Sequence, residues 1–248
     1  MNTRDTSQRL ERIDILRGSA IVLMILFHLN YSLVHIFDSE ILNLSEYFWF
    51  FLGKISALSF IFLAGFSYFL AEQKYGKKVK QKYLRYAVIL GFFALCISFF
   101  TYFLFPEQFI AFGILHFFAL SFLLLPYFTR LWYWIIPLAG AIILSGAYFF
   151  PVVESAFFFP LGFRNIEFFS ADYYPLFPYF GVLLLGYVGA RFSSQYWLLK
   201  YLSLSRKIYF WERGLIYLGK RSLLVYLIHQ PIIIWVLFVL QYLWVFGN

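Results

Sequence analysis

The sequence is built from long apolar runs, each about the length a helix needs to cross a membrane. Roughly 20 consecutive apolar residues are required for that. Seven stretches qualify: roughly Ile15–Phe37, Phe48–Ala71, Leu84–Phe105, Phe109–Phe128, Leu131–Phe150, Tyr174–Ala190 and Leu223–Phe246. Only 13% of the 248 residues are charged, about half the share usual in soluble domains. A soluble enzyme, a disordered tail and a nucleic-acid-binding domain are thereby excluded. The expected fold is all-α, a polytopic transmembrane helix bundle of about seven spans. It forms a single domain over residues 1–248, with a tail at 1–14. The first run starts too late and is too long for a cleaved signal peptide, so it is read as a mature helix. Two shorter apolar pieces, Trp197–Leu204 and Phe210–Leu218, read as interfacial or re-entrant segments.

Charge placement sets the expected orientation. Arg4, Arg9, Arg12 and Arg17 lie before or at the start of the first run. Lys74, Lys77, Lys78, Lys80, Lys82 and Arg85 fall between the second run and the start of the third, and Arg130 between the fourth and fifth. Arg191, Lys200, Arg206, Lys207, Arg213, Lys220 and Arg221 precede the last. All these loops share one side if the N-terminus is cytoplasmic and the C-terminus outside, as the excess of Lys and Arg in cytoplasmic loops requires. The basic excess is then an orientation signal, with Lys74–Lys82 suited to anionic lipid. Asp38, Glu40, Glu46, Glu107, Glu154, Glu167 and Asp172 collect on the other side. There the apolar loop Pro151–Asp172 is expected to fold back as a lid or to dip into the interface. The lone cysteine, Cys96, leaves no disulfide framework.

Ionisable side chains within membrane spans are costly and are functional candidates by default. His28, His116 and His229 qualify, and His35 falls at the outer end of the first span. Arg17 and His28 are 11 residues apart, close to three turns, so both project from one helix face about 16 Å apart. Asp14 is placed to pair with Arg17, and Gly18 lets a neighbour approach beside it. A guanidinium at the cytoplasmic boundary with an imidazole near mid-membrane suits group transfer from a phosphate-bearing cytosolic donor. Coenzyme A has that shape: phosphates at one end, a long arm, and a thioester at the tip. Alternatively, Arg17 only anchors the helix and His28 only bonds a neighbouring helix. In the last span Ser222, Tyr226 and His229 form one polar stripe ending before Gln230–Pro231, where a proline kink would free backbone groups to line a cavity. Asp172 is placed either to cap the sixth span or to face an acceptor. His28 and His35, separated by about 10 Å of helical rise, are too far apart to share a metal, and no metal is expected. The sequence holds no phosphate loop, HExxH or GxSxG motif.

The segment from Arg12 to His28, with ten residues between Arg17 and His28, resembles the opening of the transmembrane acyltransferase superfamily and the Arg…His motif of the acyltransferase-3 family. Phe60–Leu70, Phe112-Gly-Ile-Leu-His116, Asp172–Gly181 and Leu218–Pro231 resemble a narrower branch, the heparan-α-glucosaminide N-acetyltransferase catalytic domain and its short prokaryotic relatives. The resemblance implies an acyltransferase moving acetyl, or another acyl group, from cytosolic acyl-CoA to an amine or hydroxyl of a sugar-like or glycoconjugate acceptor outside. It implies His28, Asp172 and His116 as catalytic, with Asp14, Arg17, Gly18, Lys220, Arg221, Ser222 and His229 holding the donor. That branch has asparagine where His28 aligns and places its histidine just beyond the first span, so His28 and His35 stand as alternative bases. Acyl-CoA, the acceptor and membrane lipids are the expected partners, with no nucleic acid, and a homodimer is compatible. The expected location is the plasma or inner membrane of a prokaryote. A proton-coupled transporter or flippase is the rival reading, because intramembrane histidines and a proline-broken helix would serve it too.

Overall fold

The computed structural model describes residues 11–37, 39, 44–148, 156–163, 168–195 and 208–247. The expected segment Trp197–Leu204, the acidic positions Asp38, Glu40, Glu154 and Glu167, and Arg164 lie outside the described residues, as does part of the Pro151–Asp172 loop.

Among the described residues eight α-helices follow one another: α1 (Glu11–His35), α2 (Glu46–Tyr75), α3 (Val79–Leu104), α4 (Ile114–Phe128), α5 (Ile135–Tyr148), α6 (Leu176–Gln195), α7 (Phe210–Lys220) and α8 (Ser222–Gly247). The only strand-like pairing among the described residues is an isolated bridge between Phe112 and Tyr173. Length and apolarity single out, among the described residues, five candidate membrane segments: Glu11–His35, Glu46–Leu104, Ile114–Leu131, Leu176–Ser193 and Ser222–Leu243. This is fewer than seven for two reasons. First, α2 and α3 join through a three-residue 3-10 turn, Gly76–Lys78, and form one helical segment of 59 residues. Gly76 makes that turn at a φ of 51°, a left-handed conformation that glycine adopts freely. Second, the expected fifth span does not begin at Leu131. Thr129–Trp134 is 3-10, with Leu131 out of helical geometry, which leaves α5 with 14 residues. The described part of α5, up to Tyr148, covers about 21 Å of the roughly 30 Å hydrocarbon core.

The chain forms two compact units, Met1–Leu63 with Tyr196–Asn248, and Ala64–Gln195. In the first, α1 packs along α7 and against α8. The α1–α7 crossing is an exchange of glycines. A Cβ on Gly18 would run into the backbone carbonyl of Leu215, and one on Gly219 into that of Asp14. Only at glycine can backbones come this close. The first half of α2 is tied to α1 by Ser56, whose Oγ donates to the carbonyl of Ala20 at 2.9 Å. In α8 the only buried side chains among those described are His229 and Ile233, four residues apart on one face. Leu224, Ile228, Ile232 and Trp235 are exposed. A helix that hides a histidine and shows leucine, isoleucine and tryptophan outward is arranged for lipid rather than water. Pro231 sits inside this helix, which runs on to Gly247, so the chain does not end or break there. Its missing N–H still withdraws the donor that would meet the carbonyl of Leu227.

In the second unit α3 packs on α4, and α6 packs on α5 and α4. The apolar residues of α3 divide into two faces. Tyr83, Ala87, Leu90 and Ala94 are buried, while Val88, Phe92, Leu95, Phe99 and Phe103 are exposed, as in a helix with protein on one side and lipid on the other. Gly65 of α2 meets the carbonyl of Leu183, the close packing its small side chain allows. Two further boundaries differ from expectation. The fourth span was expected from Phe109, but the chain stays extended to Gly113 because it pairs with 171–174. Ala171 N–H donates to Phe109 O at 2.9 Å and Tyr174 N–H to Phe112 O at 3.1 Å. Near the start of α6, Phe177 is extended (φ −93°, ψ 123°) because a proline follows it.

Candidate active site

The residues singled out by sequence fall into two clusters, one in each unit. The first lies on α1, α7 and α8. At the start of α1, Arg17 Nη1 meets Asp14 Oδ1 at 3.0 Å. Asp14 is 1% exposed and the arginine side chain 22%. The Gly219 contact places the backbone of α7 directly on Asp14, so the residues that follow, Lys220, Arg221 and Ser222, are held at the same end of α1. Lys220 and Arg221 are exposed, and the Arg221 guanidinium lies 4.1 Å from the centroid of the Tyr217 ring. The result is a rim of three cations beside one buried, paired carboxylate. Such a rim suits a polyanion approaching from the water side.

Three turns along α1, His28 meets His229 of α8, with ring centroids 4.9 Å apart. His28 makes no hydrogen bond to a described residue; its other ring neighbour is Phe27, at 5.2 Å. One turn further, Gln230 Nε2 donates to Ser32 Oγ at 3.0 Å. The two helices are thus joined by two successive polar rungs, His28–His229 and Ser32–Gln230. His35, the alternative to His28, is exposed at the end of α1, with its ring 4.4 Å from that of Tyr31.

The second cluster surrounds the start of α4. The Gly113 N–H donates to His116 Nδ1 at 3.2 Å, so that nitrogen carries no proton. The other ring nitrogen, Nε2, lies 3.2 Å from Ser98 Oγ. Ser98 has one proton and gives it to the carbonyl of Ile110 at 2.6 Å, so it accepts from His116. Both imidazole nitrogens are therefore committed. Asp172 reads from sequence either as the cap of the sixth span or as a residue facing the acceptor; its Oδ2 accepts the N–H of Ile114 at 2.9 Å, a cap on α4 rather than on α6. A Cβ on Gly113 would strike that carboxylate.

Sequence reasoning missed Ser98, Ser32 and Gln230 as partners. Ser98 and Ser32 were visible as single hydroxyls in apolar runs. The Gly219 contact had a weaker signal, a glycine just before the Lys220–Arg221 pair.

These features define a class, a helical membrane protein with a basic rim and a buried histidine pair. Residues 9–231 match the family described as heparan-alpha-glucosaminide N-acetyltransferase, catalytic, and the chain belongs to that family. It is a membrane protein of an acetyltransferase-like family. No curated protein and no solved structure gives a significant match.

Proposed function

We propose that the protein is a single-domain membrane acyltransferase that passes an acetyl or other acyl group from cytosolic acyl-CoA to an amine or hydroxyl of a sugar-like acceptor outside. The observation that carries this reading is the layout of α1 inside a chain of this family. A basic rim (Arg17, Lys220, Arg221) is fixed at one end by the Gly219–Asp14 contact. The His28–His229 pair lies about 16 Å along the same helix. Phosphates held at the rim leave the extended arm of coenzyme A to carry its thioester toward the imidazoles. There one ring takes the acceptor's proton as attack begins, or carries the acyl group in two steps. His116 and Asp172 hold the start of α4 rather than joining the reaction, because His116 Nδ1 and Asp172 Oδ2 accept from its backbone and His116 Nε2 is taken by Ser98. In this reading the chain crosses the membrane seven times, with its N-terminus in the cytoplasm and its C-terminus outside. α2 and α3 then count separately and α5 is completed by flanking residues.

The test uses the purified protein in detergent. Acetyl-CoA is expected to raise its melting temperature and, with glucosamine as acceptor, to release free CoA thiol. Lys220→Gln combined with Arg221→Gln should weaken the stabilisation without unfolding the protein, since both side chains are exposed. No stabilisation by acetyl-CoA, CoA or longer acyl-CoAs, together with solute uptake driven by a proton gradient in vesicles, would replace this reading with a transporter.

A further inference from the structure

The two histidines of the pair are not equivalent, and their hydrogen bonds separate them. His229 Nδ1 lies 2.6 Å from the carbonyl oxygen of Tyr226. A carbonyl oxygen only accepts, so the proton of this ring sits on Nδ1 and the ring is held in one tautomer. The other nitrogen, Nε2, is buried and has no hydrogen-bond partner among the described residues, in a residue only 7% exposed. A buried polar atom without a partner costs free energy. His28, alongside at 4.9 Å, has no hydrogen bond to a described residue that would fix which of its nitrogens carries the proton.

Resting on the acyltransferase reading above, we propose that Nε2 of His229 is the general base of the reaction, with His28 flanking it rather than acting in its place. The acceptor's nitrogen or oxygen bonds to the thioester carbonyl carbon while its proton passes to Nε2. The carbon–sulfur bond then breaks, the electron pair leaves on sulfur, and the imidazolium gives its proton to that sulfur, releasing the CoA thiol. The Tyr226 carbonyl supports the transient cation by accepting from Nδ1–H. A buried carboxylate plays the same part for the histidine of a catalytic triad. It also aims the lone pair, since the ring cannot turn over without losing this bond.

The experiment follows CoA thiol release from acetyl-CoA with glucosamine in wild type, His229→Ala, His229→Gln and His28→Ala. It is run with and without added imidazole, beside thermal stabilisation by acetyl-CoA. If wild type neither binds nor turns over acetyl-CoA, the acyltransferase reading itself fails, whatever the variants do. Given an active wild type, His229→Gln should lose at least about a hundredfold in rate while keeping its stabilisation by acetyl-CoA. Imidazole should restore part of the rate of His229→Ala. The glutamine variant guards against simple misfolding, because its amide can still donate to Tyr226 while offering no base. A rate within about fivefold of wild type in either His229 variant, far less than loss of a general base costs, would overturn the proposal. So would imidazole rescue of His28→Ala but not of His229→Ala, or loss of acetyl-CoA stabilisation in His229→Gln.

Discussion

His229 and His116 both lie within apolar helices, and both have one ring nitrogen bonded to backbone. They differ at the other nitrogen. At His116 it meets Ser98, whose own proton is passed to a carbonyl, so the ring is a link in a closed chain that ends on the backbone at both sides. At His229 the second nitrogen has no hydrogen-bond partner among the described residues. His229 is buried and His116 half-buried, but burial alone does not say what either ring does. Tracing each proton to its acceptor separates an imidazole that holds a turn together from one kept open for chemistry.

That contrast can be broken by substitution. The widest expected gap is in turnover. His116→Ala should leave the rate per folded molecule within about threefold of wild type, whereas loss of the base at His229 should cost at least about a hundredfold. Equal losses in the two variants, after correction for folded fraction, would erase the distinction. Stability should show the reverse order. His116→Ala strands the Gly113 N–H and the Ser98 hydroxyl, and should cost about 1–3 kcal/mol in denaturation from micelles. Gly113→Ala sharpens the same point without touching the histidine. Its new Cβ would strike the Asp172 carboxylate and should cost about 1–3 kcal/mol, again with turnover intact. Asp172→Ala removes the cap on Ile114, and should cost about 1 kcal/mol. A loss of turnover in Asp172→Ala beyond its loss of folded protein would return that carboxylate to the reaction. The smallest effect is expected at Ser98→Ala, about 0.5–1.5 kcal/mol, since the imidazole keeps its bond to Gly113.

Local spacing made part of this legible. Asp14 and Arg17, three apart on a helix, pair as spacing requires. The pattern of apolar runs alone defines a helical membrane protein. Similar depth in separate spans suggests that His28, His116 and His229 converge; His28 meets His229, whereas His116 bonds Ser98 and Gly113. What escaped was whatever depends on residues far apart in sequence. Asp172 caps α4 across 58 positions because the extended chain before α4 pairs with residues 171–174, and no periodicity announces such a pairing. The segment Phe210–Leu218 read as too short to span. Its actual partner, α1, is fixed by a glycine on each helix, a contact whose two halves look ordinary when read singly. The start of α5 was misplaced because a continuous apolar run hides a change from 3-10 to α geometry.

The thin embedding of α8 has a consequence for how the protein behaves in different membranes. With only His229 and Ile233 buried among its described side chains, this helix takes much of its depth and tilt from the surrounding acyl chains rather than from its own protein. Hydrophobic mismatch between such a helix and its bilayer is relieved by tilting or by local thinning. Either response would move His229 relative to the rung it shares with His28. Bilayer thickness thus becomes a variable acting directly on the histidine pair, and short- and long-chain lipids are two settings of one geometry.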